Sequence, residues 1–337
     1  MIGRRDFITL VGVAAAWPLA ARAQQSGMPV IGFLGLGFGF PGLDLGSSTS
    51  YGAPPEFIRG LAEAGYAPGR NLALEFRWAN FQNSLLPRFA ADLVRRQVAV
   101  IVTTGSPYAA RAAKDATSTI PIVFVISVDP VKLGLVASFN RPGGNVTGVT
   151  ILSTELAGKR LNLLLELVPQ ATKIGYLSGP REASVFEEQR NNALTVGRAL
   201  GREIIVSEVR NLDFEAAFGS LAEQQAGGLL VGNYIIFREE RNRDKILELA
   251  ARHKIPAIYP ARDYAANGGL MSYAVSSPGP WRQVADYTTR LLKGERPGNL
   301  PVIQPTKFDF VINLKTAREQ SLTVPPLLLA IADEVIE

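Results

Sequence analysis

The chain has no cysteine among its 337 residues, a single histidine and only three methionines. Without cysteine it forms no disulfide, holds no thiolate-ligated metal or cluster, and offers no cysteine for lipid attachment behind a leader. The one histidine, His253, leaves little material for a histidine relay or a histidine-rich metal site. Its position ahead of Lys254-Ile255-Pro256 reads as a helix C-terminus, where an imidazole suits the dipole. No Gly-x-Ser-x-Gly and no Gly-x-x-x-x-Gly-Lys-Ser/Thr occurs, and no pair of carboxylates stands out. Catalysis and a metal site therefore find no support in the residues. The net charge of +5 is spread without a dense Lys/Arg run, so nucleic acid is not an expected partner. No short repeat period is visible, which excludes a solenoid.

What is present begins with a leader. Arg4-Arg5 precedes an apolar run from Ile8 to Leu19, and Ala21-Arg22-Ala23 is a small-x-small cleavage site. The run is too short to span a membrane, and the order of features is that of a signal peptide with a twin-arginine character. Met1–Ala23 is therefore set apart, with the mature chain expected from Gln24. Loss of three arginines and one aspartate lowers the charge to about +3. The remaining stretch of about 314 residues suits two domains.

From Met28 onward strands and helices alternate. The stretch Val98–Pro130 is the clearest unit, with apolar runs Val98–Val102 and Ile120–Ile126 on either side of a helix striped by Tyr108, Ala109, Ala112, Ala113 and Ala116. Strand, helix and strand of this length make a parallel βαβ unit. Thr104-Gly105-Ser106 follows its first strand; Ser127-Val128-Asp129 follows its second. Ligands of open parallel sheets bind at such carboxyl ends. Ser106 is an N-cap before Pro107, and free N–H groups there attract an anion, while Asp129 offers the opposite charge. Equally, Ser106 and Asp129 are ordinary caps. Further on, Val131, Leu135, Val136 and Phe139 predict a short helix, Leu270–Val275 a strand, Pro301–Leu314 an extended connector, and the tail after Lys315 a helix. Two such alternating runs predict an α/β protein of two doubly wound parallel-sheet lobes, with the ligand in the cleft between them.

Gly37-Phe38-Gly39-Phe40-Pro41-Gly42 fits Gly-x-Gly-x-x-Gly, but Pro41 removes a donor that a pyrophosphate needs and no helix opens behind it. No cofactor is expected. The loop from Gly35 to Pro55 is instead expected to border the cleft, with Phe38 or Phe40 a candidate wall; a merely flexible loop is the equal alternative. Tyr234, Tyr259, Tyr264 and Tyr273 lie near strand ends in the second half, where an apolar ring with a polar tip suits a cleft, and Asn233 is a second strand-end polar group.

Gly60–Asn71 (GLAEAGYAPGRN), Leu86–Val102, Ile120–Thr150 with its DPVKLGLVASFNRPGGNVTGVT, Leu229–Asn233, Ala250–Tyr259, Gly268–Tyr273 and Gln304–Ala317 carry a resemblance over nearly the whole chain. The sequence resembles the ABC-transporter substrate-binding family of tryptophan/tyrosine type, which has the periplasmic binding protein type I fold. That resemblance implies a receptor that hands a small solute to an inner-membrane ABC permease. It implies cleft positions at Thr104, Gly105, Ser106, Asp129, Asn233, Tyr259 and Tyr273, beside the loop after the first strand; Ser127 and Phe38 complete the candidate set. It also implies lobes of residues 24–148 with about 271–300, and 149–270 with about 301–337. A monomer, exported to the periplasm and not lipid-anchored, with an amino-acid-like or carboxylate ligand, is the expectation. Two departures, the long Gly35–Pro55 loop and Ser178-Gly179-Pro180-Arg181 in place of an Asn-Pro-rich turn, leave the ligand's aromatic character open. The competing readings are an exported ligand sensor feeding a membrane partner, and an exported enzyme on the same fold.

Overall fold

The structure, a computed structural model, describes residues 27–37, 40–41, 51–104, 106–151, 153–179, 184–276 and 279–337. The expected leader, Phe38, Gly105, Pro180, Arg181 and most of the Gly35–Pro55 loop lie outside the described residues.

The first sheet opens with β1 Val30–Gly35, whose Ile31, Phe33 and Leu34 are fully buried. A two-residue antiparallel pair follows, β2 Phe40–Pro41 with β3 Tyr51–Gly52. α1 Pro55–Glu63 starts on a proline, whose missing N–H is harmless in a first turn, and the chain leaves it at Gly65 with φ +89°. Next come β4 Ala73–Trp78, α2 Leu86–Arg95, β5 Val100–Thr104, α3 Pro107–Ala116, β6 Ile122–Ile126 and β7 Val146–Thr150. The order β4-β1-β5-β6-β7 is parallel throughout. β5 and β6 are buried along their whole length, as Val- and Ile-rich strands between two helical layers must be. The helix expected over Val131–Phe139 is absent. Turns stand there instead, with Gly134 at φ +63°. Leu135 and Val136 are buried all the same, so the apolar spacing belongs to a loop anchored on the core.

After β7 the chain crosses to a second lobe: α4 Ser153–Leu167, β8 Lys173–Ser178, α5 Ser184–Ala199, β9 Glu203–Glu208, α6 Phe214–Glu223, β10 Leu229–Val231, α7 Glu240–Arg252, β11 Ala257–Tyr259, α8 Arg262–Ala266 and β12 Met271–Val275. α9 Gly279–Leu292 then returns to the first lobe, where Val284, Ala285 and Tyr287 join Phe33, Phe57 and Leu61 in one core. Gly60 permits this approach, since a Cβ there would lie 2.6 Å from that of Ala285. The return was expected near residue 271. β12 pairs with β11, so the chain leaves the second sheet only after Val275.

A third crossing leads back to β13 Phe308–Asn313, antiparallel to β12, then α10 Leu314–Glu319, α11 Pro326–Ile331 and β14 Glu334–Ile336. The second sheet reads β14-β13-β12-β11-β10-β8-β9. The stretch 301–314 is thus a connector only as far as Lys307. Beyond it, β13 satisfies backbone groups along β12 that would otherwise form an open edge. The tail is helical in α10 and α11, but it closes on a strand.

The first two crossings leave from the carboxyl ends of β7 and β12. The third passes Ile303, bridged to Val149, and enters β13 where Phe308 faces Val275. The carboxyl edges of the two sheets are therefore tied to one another.

Candidate ligand-binding site

Both lobes share one strand order. Numbered within each lobe it runs second-first-third-fourth-fifth, as β4-β1-β5-β6-β7 and as β9-β8-β10-β11-β12. Connections then leave the first strand toward opposite faces and open a crevice at its carboxyl end, between first and third strands. Between β1 and β5 that place holds Gly35, Thr104 and Ser106. Between β8 and β10 it holds Ser178, Gly179, Gly232, Asn233 and Tyr234. Thr104, Ser106 and Asn233 thus come to the two switch points, while Ser127 and Asp129 follow β6, one strand further along.

On the first lobe, the Trp78 ring lies across the end of β1; a Cβ on Gly35 would overlap it. Phe76 stacks beside Trp78 at 6.1 Å, and Phe33 beside Phe76 at 5.3 Å, a row of rings on one sheet face that runs from the end of β1 into the core. Thr104 and Ser106 are buried. Ser106 has extended backbone, and its Oγ accepts from Tyr108 N at 3.1 Å to open α3. Asp129 Oδ1 accepts from Val131 N at 2.8 Å and Lys132 N at 3.2 Å. Both side chains are engaged in capping their own turns.

On the second lobe, the Tyr234 ring covers the ends of β8 and β10. A Cβ on Gly179 would lie 2.5 Å from it, and one on Gly232 closer still. Its Oη meets Ser178 Oγ at 2.9 Å, and burial raises its pKa. The buried Gln189 accepts from Asn233 N through Oε1 at 3.3 Å, which fixes the turn after β10. A cavity of about 530 Å³ opens beside this crevice, at the carboxyl ends of β8 and β9 next to α6, with Ser178, Arg190, Glu208 and Asp213 among its walls. Beneath the rim, Arg160 of α4 is buried and donates Nε to the Tyr273 carbonyl at 2.7 Å; desolvation pushes its pKa down to about 10. Among the described residues no cluster of three or more metal-ligating side chains occurs, and no helix is long and apolar enough to cross a membrane.

Residues 52–336 match the model of the ABC transporter substrate binding protein family. The chain belongs to that family. Its members are binding proteins, and this substrate-binding protein is not an enzyme. A tyrosine-binding protein of Clostridioides difficile (strain R20291) is 26% identical over 291 residues, covering 82% of this chain and 80% of that protein. Two solved structures are similar with TM-scores of 0.76, each covered over 91% of this chain and 99% of its own: a conserved domain protein from Vibrio cholerae at 24% identity, and an ABC domain from Streptococcus pneumonia in complex with L-Trp at 23%. These structures share the periplasmic binding protein type I fold.

Two tyrosines expected on the cleft wall of the substrate-binding protein are elsewhere. Tyr259 is 2% exposed and stacks on Tyr264 at 4.9 Å inside the core, where burial alone raises its pKa. Tyr273 stacks on Phe308 at 5.7 Å and lines a groove with Lys159 and Lys307. The alternation of β11 and β12 turns both rings onto sheet faces rather than toward the carboxyl edge. His253 caps the C-terminus of α7 as expected and stacks on Phe218. Trp78, Gln189, Arg160 and Arg190 were not anticipated. Trp78 had a readable signal, an aromatic ending a strand beside β1; the other three are polar positions within helices that carry no periodic mark.

Proposed function

We propose that this substrate-binding protein binds a small amino-acid-like carboxylate between its two lobes and delivers it to an inner-membrane ABC permease as an exported, periplasmic monomer. The observation that carries the reading is the pair of switch points on carboxyl edges tied by three crossings, since that arrangement suits hinge closure around a solute. Residues 27–151 with 279–303, and 153–276 with 308–337, are the proposed closing units. The ligand class is supported by the tyrosine-binding relative and the L-Trp complex among similar structures. The leader at Arg4–Ala23 supports export. Thr104, Gly105, Ser106, Asp129 and Asn233 are the proposed contacts from the strand ends. Thermal denaturation with L-tyrosine, L-tryptophan and benzoate tests the reading. A ligand at a hundred times its Kd stabilises by about 2.7 kcal/mol, a rise of several degrees. No shift with any of them, or recovery of a chemically altered ligand, overturns it.

A further inference from the structure

The rim of the second lobe holds polarity that the fold leaves unspent. Ser178 and Arg190 both line the cavity at the carboxyl ends of β8 and β9. Arg190 is partly buried, and its Nε is closed off from solvent without a hydrogen-bond partner. The one carboxylate within ion-pair distance among the described residues, Glu187, stands 3.8 Å away and is itself exposed. Tyr176 is 1% exposed, and its Oη lies beside Tyr234 in the field of both Arg190 and Arg160. Arg160 has no carboxylate within ion-pair distance among the described residues. The other charges of the cavity are already engaged: Arg210 faces Glu208 at 3.5 Å, and Asp213 accepts from Ala216 N to cap α6. Arg190, whose Nε has no partner and whose one carboxylate is exposed at 3.8 Å, and Arg160, which has none within ion-pair distance among the described residues, form an incomplete set, because a buried charge is costly until it is paired.

We infer that Arg190 holds the anionic group of the ligand, a carboxylate, with the Ser178 and Tyr234 hydroxyl pair beside it and the charge of Arg160 behind Tyr176. The inference rests on the reading of the cleft as the ligand site and assigns the anion to the second lobe. The Ser106 turn is less suited, since its Oγ already caps α3. A guanidinium donates two parallel N–H···O bonds to a carboxylate, which an ammonium cannot reproduce.

Calorimetry decides the matter, using L-tyrosine, L-tryptophan and benzoate with the decarboxylated amines tyramine and tryptamine as controls. Arg190→Gln is expected to weaken the carboxylates about tenfold to a hundredfold. Arg190→Lys should fall between, and the weak binding of the amines should not change. If Arg190→Gln melts like wild type and binds the carboxylates equally well, the assignment to Arg190 is wrong while the cleft reading stands. If wild type binds none of the carboxylates, the cleft reading falls and this inference with it. Should Arg190→Gln fail to fold, Arg190→Lys carries the test, and undiminished carboxylate affinity in that variant overturns the assignment.

Discussion

The two lobes have the same strand order and opposite rims. At the first, polar groups are consumed internally: Ser106 caps α3, Asp129 holds its turn, and Thr150 Oγ1 donates to the Val128 carbonyl at 2.7 Å. Beside them the Trp78 ring lies over the end of β1, stacked on Phe76 and backed by the core through Phe33. At the second, an aromatic ring again lies over glycines, but it carries a hydroxyl, and around it stand Tyr176, Ser178, Arg160 and Arg190. A shared topology thus gives both lobes a crevice at the same place and leaves its chemistry to side chains, apolar rings in one and guanidiniums in the other.

The largest test of that contrast is steric. Gly232→Ala should cost about 2–3 kcal/mol and Gly35→Ala about 1 kcal/mol in urea denaturation. The Cβ at 232 would meet the Leu177 carbonyl at 2.8 Å as well as the Tyr234 ring, and backbone cannot step aside; at 35 it meets only side chains. Equal costs would show that the two aromatic lids are equally forgiving. Next, Ser106→Ala should lower stability by about 1 kcal/mol through the lost cap yet leave ligand affinity within about twofold, which calorimetry reads; a tenfold loss would return the anion to the first lobe.

A smaller effect separates two tyrosines. Tyr234→Phe removes the bond to Ser178 and should weaken ligand binding several-fold, whereas Tyr259→Phe should leave affinity untouched. A loss at position 259 would put its hydroxyl back in the cleft. The smallest effect is acid sensitivity at the back of the first lobe. Hydrogen bonding from Arg77 holds Asp92 at about 2 against its ordinary 3.8. Its contribution is therefore whole above about pH 4 and disappears as pH falls toward 2. The Tm of Asp92→Asn should vary less across that window than that of wild type; an unchanged profile would mean that the pair with Arg77 is too solvated to matter.

Much of this architecture was legible where a residue's local role and its global role agree. Ser106 and Pro107 announce a helix start, the Val- and Ile-rich runs announce strands covered on two faces, and the switch points follow from strand order. The rest depended on tertiary contacts. Four tyrosines near strand ends look alike in sequence; Tyr234 and Tyr259 are both buried, and only their contacts, Ser178 and two glycines for the one and the Tyr264 ring for the other, tell them apart. Arg190 sits inside α5 with no spacing to mark it, and its meaning comes from the cavity it lines together with Ser178. The Val131–Phe139 segment misled because Leu135 and Val136 are buried by a loop with a left-handed glycine, a pattern that imitates a helix stripe.

The placement of α9 bears on the order in which the molecule can be made. Val284, Ala285, Tyr287 and Leu291 belong to the same core as Ile31 and Phe57. A ribosome must therefore synthesise nearly the whole second lobe before the first can close, and β14, at the very end, must emerge before the second sheet is complete. Neither half can mature early and wait for the other. During synthesis the face of α1 that later receives α9 stays bare until the last fifth of the chain has appeared, and transiently exposed apolar surface of that kind favours aggregation.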